Sequence, residues 1–307
     1  GALSSFISRK LTSHFFVKAR KEIKQFLLSL PGVGSSVVHA IQKAEDSFKS
    51  LLTPGILFEG FGFQYIGPID GHHMETLVTT LNNIRGITRP VLLHVITKKG
   101  KGYEPAEKDP VKFHGIGPFS KETGQVEEKQ GPPQYTKVFS DTIVDLARSN
   151  DRVLAITAAM TSGTGLDAFA AEFPNRFFDV GIAESHGMIF AGCLAMEGFV
   201  PVYVLYSTFA QRAFDQLVHD ICLQNLPVVI CMDRAGIVGD DGPTHNGTFD
   251  LSYLRMIPNI VIMAPKDENE LRYMLYTAVE WRKGPVVIRY PRGVGYGVSL
   301  DSVYKKI

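Results

Sequence analysis

Phe177-Phe178-Asp179-Val180-Gly181-Ile182-Ala183-Glu184-Ser185-His186 is the stretch on which the reading of this chain turns. An apolar run stops at Gly181 and meets an acid, and the small apolar residues from Gly187 to Met196 predict a buried helix. Glu184 therefore stands at a strand-to-helix corner. In open α/β sheets, ligands bind beyond the carboxyl ends of the strands. Flanked by Ile182, Ala183, Met188 and Phe190, the carboxyl is expected to be poorly solvated, a setting in which it shares a proton near neutral pH and serves as a general acid/base. The same residues fit equally well an acid that only complements a helix dipole.

Outward from this corner the pattern is regular. Helix Thr136 to Ser149 and strand Arg152 to Thr157 come before strand Phe177 to Ile182. After the corner helix come strand Val200 to Leu205, helix Thr208 to Gln224, strands Val228 to Met232 and Asn259 to Met263, helix Glu268 to Trp281 and strand Val286 to Tyr290. The strands are nearly unbroken apolar runs, as expected when both faces of a sheet are covered. The prediction is a doubly wound parallel-sheet α/β domain.

Before it, helical spacing runs from Gly1 to about Thr53 and breaks at Pro31-Gly32. A strand ending in Gly67-Pro68-Ile69-Asp70-Gly71-His72, helix Met74 to Ile84 and strand Val91 to Thr97 resemble the closing unit of a second parallel sheet. Lys98-Lys99-Gly100-Lys101-Gly102 follows, a loop able to bind an anion through backbone N–H groups or to be an ordinary solvated turn. Residues 120–135, polar and rich in Gly, Pro, Lys and Glu, suggest a linker. The expected division is therefore 1–119, linker 120–135, a second domain 136–294 and a departing segment 295–307 that trails off without a core.

At 307 residues and 45% hydrophobic, the chain is long enough for about two cored domains. Lys plus Arg total 32 against 31 Asp plus Glu, so no global field recruits nucleic acid or an anionic membrane, and any anion site must be local. Cys193, Cys222 and Cys231 lack metal-ligand spacing and lie in apolar stretches, so they read as reduced core residues of an intracellular protein. No apolar run is long enough for a membrane span, and no signal peptide is visible. The chain opens at Gly1-Ala2-Leu3 without Met, as though a segment preceded it.

Three further polar segments end strands of the second domain and should converge with Glu184. Tyr206 to Asp215 offers Phe209 at a helix start, either to stack on a flat ring or as plain core. Asp233 to Gly247, dense in Gly, Asp and Pro, implies a fixed loop that brings Arg234, Asp241 and His245 together. In Arg289-Tyr290-Pro291-Arg292-Gly293, Arg292 follows its strand as Arg234 does, and paired guanidiniums suit a phosphate.

With these blocks, and with Tyr65 to His72 and Thr97 to Pro110, the chain resembles the 1-deoxy-D-xylulose-5-phosphate synthase family, thiamine-diphosphate enzymes related to transketolase. The resemblance runs through nearly the whole chain from Tyr65. It implies the end of a diphosphate-binding domain followed by a pyrimidine-binding domain, and a cytoplasmic (bacterial) or plastid homodimer. It further implies that Glu184 bonds the cofactor's pyrimidine, that Phe209 stacks on it, and that Tyr103 and Arg212 border the cofactor. Arg234 and Arg292 would hold the phosphate of D-glyceraldehyde 3-phosphate. Tyr206, Asp241 and His245 would surround the acceptor, and His114 would lie near the reacting carbon. Pyruvate is the implied donor. The magnesium ligands of the family, in a GDG segment followed by Asn, are expected upstream of Gly1, so no metal ligand is assigned within this chain; the family's C-terminal domain is likewise expected beyond Ile307. Ser185 and Asn246 depart from the family's usual Gln and His or Gln. A transketolase, the β-type subunit of a 2-oxo acid dehydrogenase, and a non-catalytic assembly protein are the alternatives.

Overall fold

The computed structural model describes residues 54–126 and 131–307, and the contacts divide the chain into two compact units, 1–128 and 129–307. The helices expected before Thr53 lie outside the described residues.

In the first unit, α1 (Pro54–Gly60), β1 (Gln64–Asp70), α2 (Met74–Ile84), β2 (Val91–Ile96) and α3 (Glu104–Lys108) follow one another. Strands β1 and β2 pair in parallel, Gln64 opposite Val91 and Asp70 opposite Ile96, with a register shift between Ile66 and Ile69. At that shift Gly67 takes a φ of +128°, and a Cβ there would lie 2.5 Å from the His94 carbonyl oxygen. Only glycine fits. Residues 120–126 of the expected linker are folded: Phe119 bridges Val126, and the Tyr103 hydroxyl donates to the Lys121 carbonyl at 2.9 Å.

The second unit opens with α4 (Tyr135–Ser149), β3 (Val153–Thr157), α5 (Asp167–Glu172), β4 (Phe177–Asp179), α6 (Glu184–Met196) and β5 (Val200–Tyr206). Next come α7 (Ser207–Ala210), α8 (Phe214–Gln216), β6 (Val229–Asp233), α9 (Asp250–Leu254), β7 (Val261–Met263), α10 (Glu268–Glu280) and β8 (Val286–Arg289). Six strands in the order β4-β3-β5-β6-β8-β7 form one parallel sheet. Alternation along each strand splits the core in two. Val202, Val204, Val229, Cys231 and Ile288 face the layer of Phe139, Ile143 and Leu275, whereas Tyr203, Leu205, Ile230, Met232 and Val287 face that of Met188, Leu217 and Ile221. The sheet is doubly wound, as its apolar strands require.

Four details differ from the sequence expectation. Strand β4 stops at Asp179, whose carboxylate accepts the N–H groups of Ala159 and Gly181 at 2.8 and 2.9 Å, while Gly181 turns away with φ +71°. The single helix expected over 208–224 is broken into α7, a 3₁₀ turn Gln211–Ala213, α8 and a π-helical turn Leu217–Cys222. The Ser185 hydroxyl takes the Arg212 carbonyl at 2.7 Å, drawing it out of the helical ladder. Cys193 is exposed on the outer face of α6, not in the core, although Cys222 and Cys231 are buried. Residues 295–307 do not trail off. Glu268 accepts the Gly297 N–H, Tyr273 and Lys305 donate to Asp301, and Tyr304 stacks on Tyr276 with centroids 5.6 Å apart.

Candidate functional site

Strand register assembles the site in the second unit. Tyr206, last in β5, is the pairing partner of Asp233, last in β6, and Met232 pairs with Arg289 of β8. The residues just beyond, Ser207 to Arg212, Arg234 to Gly247 and Tyr290 to Gly293, are delivered to one edge. Ser207 and Arg289 meet there on the buried Asp250, at 2.9 and 2.8 Å.

Glu184 opens α6 at one side of this edge. It is buried, and its carboxylate is paired with Arg212, whose side chain is 54% exposed. The Tyr203 hydroxyl fixes the helix start by donating to the Glu184 carbonyl at 2.9 Å. The apolar shield expected around the carboxylate is only partly present: Met188 is buried, but Ile182 is 80% exposed. The aromatic groups form a continuous stack. The Arg212 guanidinium lies 4.7 Å from the Phe209 ring, Phe209 and Tyr206 are nearly parallel at 5.6 Å, and the Arg234 guanidinium lies 3.8 Å from the Tyr206 ring. His245 meets the edges of this stack, 5.5 Å from Phe209 and 6.4 Å from Tyr206. Burial raises the Tyr206 hydroxyl above its ordinary pKa, so it stays protonated at neutral pH.

On the other side, Arg234 and Arg292 each place Nε 3.0 Å from the same oxygen, Oδ2 of Asp241. Arg234 also donates to the Gly163 carbonyl at 2.9 Å and has a left-handed φ of +61°. The loop closes through paired backbone bonds between Gly236 and Gly247, each 2.8 Å, and a Cβ on Gly247 would lie 2.6 Å from the Arg234 carbonyl. Asn246 accepts the Val238 N–H at 3.0 Å. Ser185 and Asn246 are thus contacts that shape the loops.

Tyr103 and His114 belong to the first unit. Tyr103 packs among Phe113 and Phe119 at 5.5 and 5.9 Å, and His114 is exposed. The lysine loop meets an anion of its own chain: Glu107 pairs with Lys98 and accepts the Gly102 N–H at 2.9 Å. Lys98, and then that N–H, hold the Glu107 carboxyl down to about 2.

Asp233 is a further polar group of the site, not among the residues expected from the sequence. It is fully buried, accepts the Thr136 hydroxyl at 2.7 Å, and lies 3.3 Å from Arg234 Nη1. An acid closing an apolar strand immediately before an arginine was the available signal.

A buried carboxylate beside a half-exposed aromatic ring is a donor set that fits an aminopyrimidine, which needs a carboxylate partner and a flat neighbour. Among the described residues no group of three His, Cys, Asp or Glu is placed to hold a metal, and no helix is long and apolar enough to cross a membrane.

The fold and this edge define a transketolase-like α/β domain of the thiamine-diphosphate-binding class. A family model described as "Transketolase, pyrimidine binding domain" matches residues 131–296, more than half of the chain, and the chain belongs to that family. A second model, "1-deoxy-D-xylulose-5-phosphate synthase", matches residues 1–97. The chain is 58% identical over 305 residues to the 1-deoxy-D-xylulose-5-phosphate synthase of Syntrophus aciditrophicus (strain SB), covering 98% of this chain and 47% of that protein. It is 56% identical to 1-deoxy-D-xylulose-5-phosphate synthase 1 of Geobacter sulfurreducens (strain ATCC 51573 / DSM 12127 / PCA), covering 100% and 48%. The chain therefore spans about half the length of these relatives. Among solved structures it resembles a split-gene transketolase described as an inactive β4 tetramer, at 31% identity and a TM-score of 0.50 over 57% of each chain.

Proposed function

We propose that the protein acts as a 1-deoxy-D-xylulose-5-phosphate synthase, condensing pyruvate with D-glyceraldehyde 3-phosphate to give 1-deoxy-D-xylulose 5-phosphate and carbon dioxide, the first step of the methylerythritol phosphate route to isoprenoids. The observation that carries this reading is the pairing, at one sheet edge, of a buried carboxylate and aromatic ring with two arginines that meet on one carboxylate oxygen.

Thiamine diphosphate, when bound, supplies the carbanion chemistry that decarboxylates pyruvate and joins its two-carbon remainder to an aldehyde. Glu184 would hold the pyrimidine through a shared proton, and Phe209 would offer it a flat face, once Arg212 leaves the carboxylate and the ring that it now covers. Tyr206, protonated, and His245 face the acceptor's oxygens. Arg234 and Arg292 bind the acceptor's phosphate in place of the Asp241 carboxylate that they now share, so remote binding energy orients the aldehyde. Asp241, once released, accepts from the acceptor's hydroxyls. Magnesium is the expected partner of the diphosphate.

Residues 1–119 are read as the C-terminal part of a diphosphate-binding domain and 136–294 as the pyrimidine-binding domain, with 120–135 between them. A cytoplasmic or plastid homodimer is the inferred setting. The exposed stripe of Ile182, Ile189 and Met196 beside and along α6 supports the dimer.

The test is an assay of the protein as its gene encodes it, with magnesium and thiamine diphosphate. Product from pyruvate and D-glyceraldehyde 3-phosphate, with none from ketose phosphate donors, supports the reading. Ketose donors used in place of pyruvate would make the protein a transketolase instead.

A further inference from the structure

The buried Asp233 has no part in the proposed reaction, although its Oδ2 lies 3.3 Å from Nη1 of Arg234. We propose that Asp233 is a positioning residue that holds the Arg234 guanidinium in its phosphate-binding pose. The inference rests on the reading of Arg234 as a phosphate ligand and goes beyond it.

Arg234 leaves β6 with a left-handed φ of +61°, a conformation that a residue with a Cβ adopts only when its surroundings enforce it. Asp233 supplies that enforcement twice. Its Oδ1 accepts the backbone N–H of Arg234 at 2.6 Å, and its Oδ2 lies 3.3 Å from Arg234 Nη1 while accepting the Thr136 hydroxyl at 2.7 Å. Asp241 and the Gly163 carbonyl fix the rest of the guanidinium. A phosphate that displaces Asp241 leaves Asp233 as the carboxylate still holding Arg234 from behind.

The fold itself gains little from this charge. Asp233 is fully buried, and desolvation pushes its carboxyl up to about 6 in spite of the opposing Arg234. A neutral side chain of the same shape would therefore suit the fold better at neutral pH. An ionised carboxylate kept where the fold disfavours it points to a role in aiming its neighbour. The other groups facing it are Asp241, from the loop, Tyr206 at the end of β5, Tyr290 beyond β8 and Cys231 on its own strand. Burial keeps the two tyrosines and the cysteine protonated through neutral pH.

The experiment is steady-state kinetics of Asp233→Asn in the protein as encoded, with D-glyceraldehyde 3-phosphate and with unphosphorylated D-glyceraldehyde, over pH 5.5 to about 8. The expected result is a rise in KM for the phosphorylated aldehyde of roughly tenfold or more, with KM for pyruvate and for the unphosphorylated aldehyde nearly unchanged. Thermal stability at pH 7.5 should hold or rise. In the parent protein, KM for the phosphorylated aldehyde should climb below about pH 6 more steeply than titration of the substrate's own phosphate explains, and this excess should vanish in the variant. Thr136→Val, which removes one bond to Asp233, should shift KM in the same direction by less and serves if the first variant does not fold. An unchanged KM in both variants, or an equal rise for both aldehydes, overturns the assignment. Arg234→Ala separates the two claims. If it discriminates between the aldehydes while Asp233→Asn does not, the positioning role fails and the phosphate reading stands; if it does not discriminate, both fail.

Discussion

The Glu184 carboxylate, buried at the first turn of α6, is paired with the guanidinium of Arg212, which is more than half exposed. Such a pair protects a buried charge in the free protein yet can be opened from the solvent side, where the arginine loses little on leaving.

Replacing Glu184 by Ala should lower turnover by roughly 10²–10⁴-fold, the range of general acid–base contributions, without loss of the fold. Circular dichroism should be unchanged, and hydrogen–deuterium exchange at the thiazolium carbon of added thiamine diphosphate should slow in parallel. Unaltered exchange would remove Glu184 from the proton path.

Arg234→Ala and Arg292→Ala should each weaken use of D-glyceraldehyde 3-phosphate by about 1.5–3 kcal/mol, the worth of a charge-assisted hydrogen bond. Pyruvate affinity should barely move. Comparing kcat/KM for phosphorylated and unphosphorylated aldehydes checks this, and equal losses on both would contradict a phosphate contact.

Asp250 is buried at the base of the site and accepts from Ser207, Arg289 and the Leu251 N–H. Asp250→Ala strands the partly buried Arg289 and should cost about 3–5 kcal/mol of stability. Urea denaturation measures this directly; a midpoint within error of the parent protein would show the network to be dispensable.

Glu268, buried at the start of α10, is desolvated, yet the N–H groups of Gly297, of Glu268 itself, and of Tyr296 and Val298 hold its carboxyl below the usual range. With the folded pKa depressed, its contribution to stability is fully present above the ordinary carboxylate pKa and is lost as pH falls through the folded value. Glu268→Gln should therefore destabilise the protein at neutral pH by about 1–3 kcal/mol and flatten the acid limb of its stability curve. Melting temperatures from pH 7 down to about 3.5 test it; parallel curves for the two proteins would disprove the linkage.

If the α6 stripe is a dimer face, Ile189→Asp together with Met196→Asp should yield a folded monomer by sedimentation, since two charges cannot be buried there unpaired. A dimer persisting in the double variant would place the interface elsewhere.

Much of this architecture was legible beforehand. The apolar strands Val153–Thr157, Val200–Tyr206 and Val229–Asp233 could only be two-sided strands, and α2 begins and ends where its pattern says. Local signals failed where a distant group intervened. The helix expected over 208–224 has helical composition throughout, yet a hydroxyl from α6 breaks it. For the lysine loop the sequence leaves an anion site and a solvated turn both open, and the fold decides by seating Glu107 on Lys98 and the Gly102 N–H.

By itself the sequence determined the parallel α/β layering, because alternation and apolar runs depend only on residue order, and it determined which polar segments end the strands. Only the tertiary structure decided what those segments do to one another. That Arg212 covers Glu184, that Arg234 and Arg292 share one oxygen of Asp241, and that Asp233 stands behind Arg234 all follow from strand register and loop closure. Thr136 reaches Asp233 across 97 positions of the chain, and Arg234 and Arg292, from two different strand ends, close on one oxygen of Asp241. Hydrogen bonds and ion pairs act over about 3 Å, a distance that no spacing along a chain specifies until the sheet has set it.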